Sequence, residues 1–373
     1  MKQFWKRAAV AIVSLALLAG MPPAAGAASD EVETALASMT LREKVGQLFA
    51  VRPEALDFEQ RSGGMKLTCS MREHLRSYPV GGIGLFATNI SSQSQMTALI
   101  RDFQRSAGNS LLVAVDEEGG TVTRASKNPN LFSEPLPSPQ ELYAAGGLDG
   151  LLERTLSYNQ KLKAFGVNVN FAPVCDVSTN PDNFIYARSF GQDAQTTADY
   201  ISSVVPVYAQ SGVACVLKHF PGYGNNADTH TGIALDARPY TTFEKSDLVP
   251  FESGIAAGAP FVLVSHNIVE CMDGAYPASL SAKVHTLLRD TLGFTGVIVT
   301  DDLAMDAVKA YAQDGSAAVL AIQAGNDMIV TTDYQTQIPQ VIAAVQSGEI
   351  AESDIDAHVF RVLHEKQALG LID

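Results

Sequence analysis

The sequence predicts an α/β fold, a single (β/α)8 barrel of the TIM type, on three observations. Short β-rich runs recur eight times with helical patterns between them, the runs are apolar almost throughout, and residues able to do chemistry follow them directly. Strands buried on both faces read as continuous apolar runs. Strands alternating with helices over about 340 residues fit a closed parallel barrel. A doubly wound sheet competes, but no G-x-G-x-x-G fingerprint follows the first run.

The predicted strands are Gln47–Val51, Gly82–Ala87, Leu111–Asp116, Val167–Ala172, Val213–Lys218, Phe261–Ser265, Gly296–Thr300 and Asp327–Val330. Two helix starts carry capping boxes, Thr40-x-x-Glu43 and Ser138-Pro139-x-Glu141, the second with proline at the first helical position. A last helix is expected around Ala351–Leu369, packed on the barrel. No short repeat, low-complexity tract or linker interrupts the chain, so residues 28–373 read as one catalytic domain.

The first 27 residues read differently. Lys2, Lys6 and Arg7 precede the apolar run Ala8–Gly20 and the small residues Ala24-Ala25-Gly26-Ala27-Ala28, the pattern of a secretory signal peptide cut after Ala27. An uncleaved anchor is the other reading, but the run is short for a bilayer. An exported protein, secreted, periplasmic or attached to the cell wall, is expected, with no stable membrane insertion once the signal is gone. Cleavage removes Trp5, the only tryptophan, leaving no indole platform for gripping a polymer.

Composition excludes other classes. With 46% apolar residues the chain can build a full core and is not intrinsically disordered. A formal net charge of −14, with no basic stripe, argues against a nucleic-acid partner. Cys69, Cys175, Cys215 and Cys271 show neither a disulfide framework nor zinc-site spacing. Cys175 and Cys215 read as buried thiols, and a Cys69–Cys271 bridge stays open.

Strand ends of a barrel share one face, so Asp116-Glu117-Glu118, Asp176, Lys218-His219, Ser265-His266-Asn267 and Asp301-Asp302 should converge on one pocket. A carboxylate fixed at such an end can attack an electrophilic carbon and form a covalent ester. Of Asp301 and Asp302, one is expected to do this and the other to cap the next helix. Pro221–Asn226 reads as a mobile loop, ending in Asp228-Thr229-His230. There a carboxylate two residues from an imidazole can orient one ring nitrogen while the other handles a proton.

Lys218–His230 resembles the K-H-F-P-G-H-G…D-S-H loop of glycoside hydrolase family 3 β-N-acetylglucosaminidases, the single-domain branch that recycles or remodels peptidoglycan. Val115–Gly120, Asn170–Val177, Ala187–Gly191 and Leu292–Met305 resemble four further segments of that family, in its order. The resemblance runs from about Leu41 to the C-terminus. It implies Asp301 as nucleophile, His230 as general acid/base with Asp228 as its partner, and Asp116, Arg124, Arg188, Lys218 and His219 as holders of the non-reducing sugar. It also implies removal of terminal N-acetylglucosamine from peptidoglycan-derived or chitin-like glycans, with no cofactor and no metal. A monomer is expected. The chain departs from the family at Tyr223, Asn225, Asn226 and Thr121, and its loop between His219 and His230 is one residue shorter.

Other readings stand beside this one. His219, His230, His266, Lys218 and Asp301 could instead ligate a metal in an amidohydrolase-type barrel, although no H-x-H follows the first strand and Ala50-Val51-Arg52 offers no ligand. A wall-binding protein without catalysis would not need intact Asp301, Asp228 and His230. Within the family, a phosphorylase or a β-glucosidase is the alternative, and the Asp-x-His loop favours N-acetylglucosaminides.

Overall fold

The computed structural model describes residues 25–57, 63–226, 234–305, 308, 311 and 316–372. Eight parallel strands close a barrel: Phe49–Val51 (β1), Gly82–Leu85 (β2), Leu112–Val115 (β3), Val169–Asn170 (β4), Ala214–Phe220 (β5), Phe261–Val264 (β6), Val297–Asp302 (β7) and Met328–Thr331 (β8). Neighbours in sequence are neighbours in space, and β1 closes the ring by pairing with both β2 and β8, Ala50 standing opposite Gly82 and Val330. All eight predicted strands are present. The first is shorter than Gln47–Val51 because helix Leu41–Gln47 runs on through Gln47 before the strand begins.

Alternation along each strand divides two cores. Leu112, Ala114, Val169, Ala214, Val216, Phe261, Leu263, Val297, Val299 and Met328 form one cluster filling the barrel. Their neighbours Val113, Val115, Cys215, Leu217, Val262, Val264 and Ile298 pack outward against the helices. Burying each such side chain stabilises the fold by roughly 1.5–3 kcal/mol relative to leaving it in water. The parity has a functional consequence. Counting on in twos from Ala50, Ala114, Val216 and Val299 reaches Arg52, Asp116, Lys218 and Asp301 at the mouth of the barrel.

Both capping boxes form. Glu43 N–H donates to Thr40 Oγ1 at 3.3 Å, and Thr40 N–H to Glu43 Oε2 at 2.8 Å. The Ser138–Glu141 pair does the same at the head of Pro139–Phe165, with reciprocal distances of 3.2 and 2.8 Å. That long helix is broken at Gly147, whose φ of 64° lies in the left-handed region open to glycine. The final helix spans Glu352–Ala368. Its Val362 joins the barrel-filling cluster, with Leu369 and Leu371 packed beside it, so the C-terminus closes the end opposite the strand tips.

Cys175 and Cys215 are buried, as expected. Cys69 and Cys271 are both free and exposed, so the bridge left open between them is not formed. The signal-peptide reading rests mostly on residues 1–24, which lie outside the described residues, as do Asp228 and His230. No helix among the described residues is long and apolar enough to cross a membrane.

Candidate active site

The strand tips enclose a cavity of about 220 Å3. Its floor is apolar, made by Ala50, Ala114, Leu263, Val330 and Phe171. Around its wall stand Asp116, Arg124, Arg188, Lys218, His219 and Asp301, every described residue that the sequence pointed to as catalytic or substrate-binding. Pockets that take drug-sized ligands run to about 300–1,000 Å3, so this space suits one sugar-sized ring better than an extended chain.

Glu118 organises one side. Its side chain is 1% exposed, and Lys218 Nζ lies 2.6 Å from its Oε1. Arg188 forks onto both oxygens, Nε to Oε2 at 2.9 Å and Nη2 to Oε1 at 2.7 Å. Burial alone would raise the Glu118 carboxyl, but Lys218 and Arg188 outweigh it and hold it at about 2. Burial likewise disfavours the Lys218 ammonium, yet Asp116 and Glu118 raise it above the ordinary lysine range. Lys218 also donates to Asp116 Oδ1 at 2.9 Å, and Arg124 Nη2 stands 3.7 Å from Asp116 Oδ2. Asp116 and Arg124 keep about a quarter to a third of their side chains open, so this paired array turns its outer atoms to the cavity.

Neighbouring Glu117 has another task. Its carboxylate accepts the backbone N–H groups of Arg124, Ala125 and Ser126, folding that loop back toward the site. Tight return of the chain also needs Gly119, where φ is +97° and a Cβ would stand 2.3 Å from the Pro137 carbonyl oxygen.

His219 is fixed from both sides. Its Nδ1 lies 2.7 Å from Asp176 Oδ2, and Nε2 lies 3.0 Å from Arg188 Nη2. Asp176 is fully buried and also accepts the N–H groups of His219 and Tyr223. Pro221–Asn226 has no regular structure, in keeping with its glycines and proline. Within it Asp176 accepts the Tyr223 N–H and Asn226 donates to Asp236 Oδ2 at 2.9 Å, while the continuation from residue 227 to 233 lies outside the described residues. Tyr223 itself is 2% exposed and meets the His219 ring edge-on at 5.5 Å.

At the end of β7 the two aspartates part company. Asp302 Oδ1 accepts the Ala304 N–H at 2.9 Å and closes the turn at residues 303–305; most of the segment after it, where the helix to be capped was expected, lies outside the described residues. Asp301 lines the cavity, and one of its oxygens accepts the Asp302 N–H at 2.8 Å. His266 is fully buried, with Nδ1 2.7 Å from Ser279 Oγ and Nε2 3.1 Å from the Asp302 carbonyl. Both ring nitrogens of His219 and of His266 are therefore occupied by protein groups, and neither presents a free nitrogen lone pair for the metal reading to use.

The sequence did not single out Arg52 or Phe86 for the site, and it placed Glu118 and Asp176 among the converging strand-end residues without giving either a role. Glu118 and Asp176 did carry a signal, since both follow buried strands. Arg52 and Phe86 carried only their place after β1 and β2.

Residues 40–364 match the Glycosyl hydrolase family 3 N terminal domain. A Beta-hexosaminidase of Nitrosomonas eutropha is 34% identical over 288 residues, covering 76% of this chain and 82% of that protein. A solved glycoside hydrolase family 3 beta-N-acetylglucosaminidase from Paenibacillus sp. str. FPU-7 superposes with a TM-score of 0.82 at 33% identity. That match covers 90% of this chain, which spans 63% of the Paenibacillus one. The Beta-N-acetylhexosaminidase structure from Beutenbergia cavernae superposes with a TM-score of 0.77 at 29% identity, over 89% of this chain and 99% of that one.

Proposed function

This chain belongs to glycosyl hydrolase family 3, and we propose that it is an exo-acting, retaining β-N-acetylhexosaminidase that removes a terminal N-acetylglucosamine. One observation carries the reading: Asp301 stands on the wall of a cavity sized for one ring, facing charged residues suited to grip hydroxyls. Charged and bidentate donors reward a densely hydroxylated ring, because a ligand lacking those hydroxyls would leave them buried and unpaired.

In the proposed reaction an Asp301 oxygen attacks the anomeric carbon. The glycosidic bond breaks, and the leaving oxygen takes a proton from His230. Water then attacks the glycosyl ester and gives a proton to His230, and the sugar leaves with its β configuration while Asp301 is regenerated. Asp228 would orient the His230 ring and favour its protonated form. Asp116, Arg124, Arg188, Lys218 and His219 would hold the sugar. We further propose that the chain is exported, works as a monomer, and meets peptidoglycan-derived or chitin-like fragments outside the cytoplasm.

The test is release of nitrophenol from the 4-nitrophenyl β-glycosides of N-acetylglucosamine and of glucose, with and without phosphate and EDTA. Hydrolysis of the first alone, indifferent to both additions, is the expected result. Asp301→Ala should lower the rate roughly 10³-fold or more. His230→Ala should spare substrates with very good leaving groups; equal losses on good and poor ones would remove His230 from the acid role. A phosphate requirement would make the enzyme a phosphorylase, preference for the glucoside a β-glucosidase, and loss to EDTA a metalloenzyme.

A further inference from the structure

Arg52 follows β1, and the residue it pairs with ends β7, although β8 lies between those strands. Arg52 Nη2 reaches across that seam to Asp302 Oδ2 at 2.8 Å. Its guanidinium lies over the Phe86 ring at 4.1 Å, a contact that fixes the plane of the fork. Both partners are partly withdrawn from water, with side chains 33% and 14% exposed.

Asp302 is tied at every polar atom. Oδ1 accepts from Ala304, the carbonyl accepts from Met305 at 3.0 Å and faces His266, and the N–H holds Asp301 Oδ1. Of these ties, the ion pair alone joins the β7 tip to the opposite side of the seam. The other charges around the cavity are engaged elsewhere. Lys218 pairs with Asp116 and Glu118, Arg188 with Glu118, and Arg124 stands beside Asp116. Among the described residues, Arg52 is the one cation within salt-bridge distance of Asp302.

We propose that Arg52 is a positioning residue for the nucleophile: through Asp302 it holds the Asp301 carboxylate on its line of attack. The inference rests on Asp301 being the nucleophile. A carboxylate must approach the anomeric carbon within about 3–3.5 Å, and a 1 Å misplacement can cost about 100-fold in rate. Without Arg52, Asp302 would be an unpaired, largely buried anion bonded in sequence to the attacking residue. It would turn toward other donors and take with it the N–H that fixes Asp301.

The test compares Arg52→Met, Arg52→Lys and the double variant Arg52→Met/Asp302→Asn with the parent enzyme, alongside Asp301→Ala. Arg52→Met should lower kcat about 10- to 100-fold with KM within about threefold, equally for 4-nitrophenyl and 2,4-dinitrophenyl N-acetylglucosaminides. Arg52→Lys, which keeps the charge and loses the flat fork over Phe86, should fall between parent and Arg52→Met. It carries the test if Arg52→Met does not fold. The double variant should regain about tenfold of the loss, because it removes the stranded charge. An Arg52 variant with unchanged kcat, a loss confined to KM, or a double variant no better than Arg52→Met would each overturn the inference. A dead Asp301→Ala beside a fully active Arg52→Met overturns this inference alone, whereas an active Asp301→Ala overturns the functional reading and this inference with it.

Discussion

Glu118 shows what a single buried carboxylate does here. It is withdrawn from water at a cost that Lys218 and Arg188 chiefly offset, and both are residues the proposed mechanism uses on the sugar. Its carboxyl titrates at about 2 in the folded chain, against roughly 4.3 when exposed. Between those values the unfolded chain binds more protons. The stabilisation is therefore complete above about pH 4.3 and is lost as pH falls toward 2. Its size is about 3 kcal/mol. Glu118→Gln should destabilise the protein at pH 7 by about 3–5 kcal/mol, since it leaves Arg188 without its carboxylate and Lys218 with Asp116 alone. Urea titrations at pH 7, 5 and 3 would check this: the parent should lose stability more steeply than the variant. Parallel losses would mean that other carboxylates dominate acid unfolding.

At the scale of elements, the end of β5 is held by Asp176 as well as by its ladder, in which Phe220 pairs with Val264 and Lys218 bridges Val174. One carboxylate accepts two N–H groups and an imidazole nitrogen, so β5, the His219 ring and the start of the following loop move together. Asp176→Asn puts an NH2 group where one of these acceptors was. It should cost about 1–3 kcal/mol in thermal or urea unfolding. Activity should fall further than stability, because His219 and Tyr223 would shift; unchanged kcat/KM would show that the clamp matters only for folding. Such clamps mark the border of what the sequence made legible. The eight strands could be read because both faces are apolar, and β4 is the instructive case. It pairs over only two residues, yet Val167–Ala172 reads as a full strand. Main-chain bonds of Asn168, Phe171 and Ala172 to β3 and β5 carry it further, and the Asn168 and Asn170 side chains add bonds to the backbones of Leu111, Val113 and Glu117. Arg52 was the opposite. In sequence it follows a strand and offers no metal ligand, and its meaning comes from Asp302, 250 residues away. Asp116, Glu118, Lys218, His219, Asp301 and Asp302 do gather around the cavity, because strand parity is local, whereas Glu117, Asp176, Ser265, His266 and Asn267, also expected there, stand behind its wall. Which carboxylate meets which cation depends on the closure of the ring, and no local pattern carries that.

For the molecule as a whole, the two ends of the barrel are built on opposite principles, and Lys366 tests the difference. At the mouth, every buried cation described above faces a carboxylate. At the closed end, Lys366 is 1% exposed and its Nζ reaches only neutral oxygens, Gln47 Oε1 and the Ser110 carbonyl, each at 2.6 Å. Burial there depresses the ammonium to about 7, against roughly 10.4 in the unfolded chain. Between those values the unfolded chain again binds more protons, so here too stability rises with pH, now on the alkaline side of neutral. The fold should become more stable from about pH 7 toward 10, until the tyrosines and thiols of the unfolded chain begin to ionise. Lys366→Met removes the titrating group while keeping an unbranched side chain of similar reach beside Val362. Comparing the two proteins cancels the other groups, and the parent should gain up to about 4 kcal/mol on the variant between pH 7 and 10. Urea titrations at pH 7, 8.5 and 10 would measure it. Curves that run parallel would mean that Gln47 and the Ser110 carbonyl keep Lys366 charged in the fold, and that the plug tolerates an unpaired cation by solvating it with neutral dipoles.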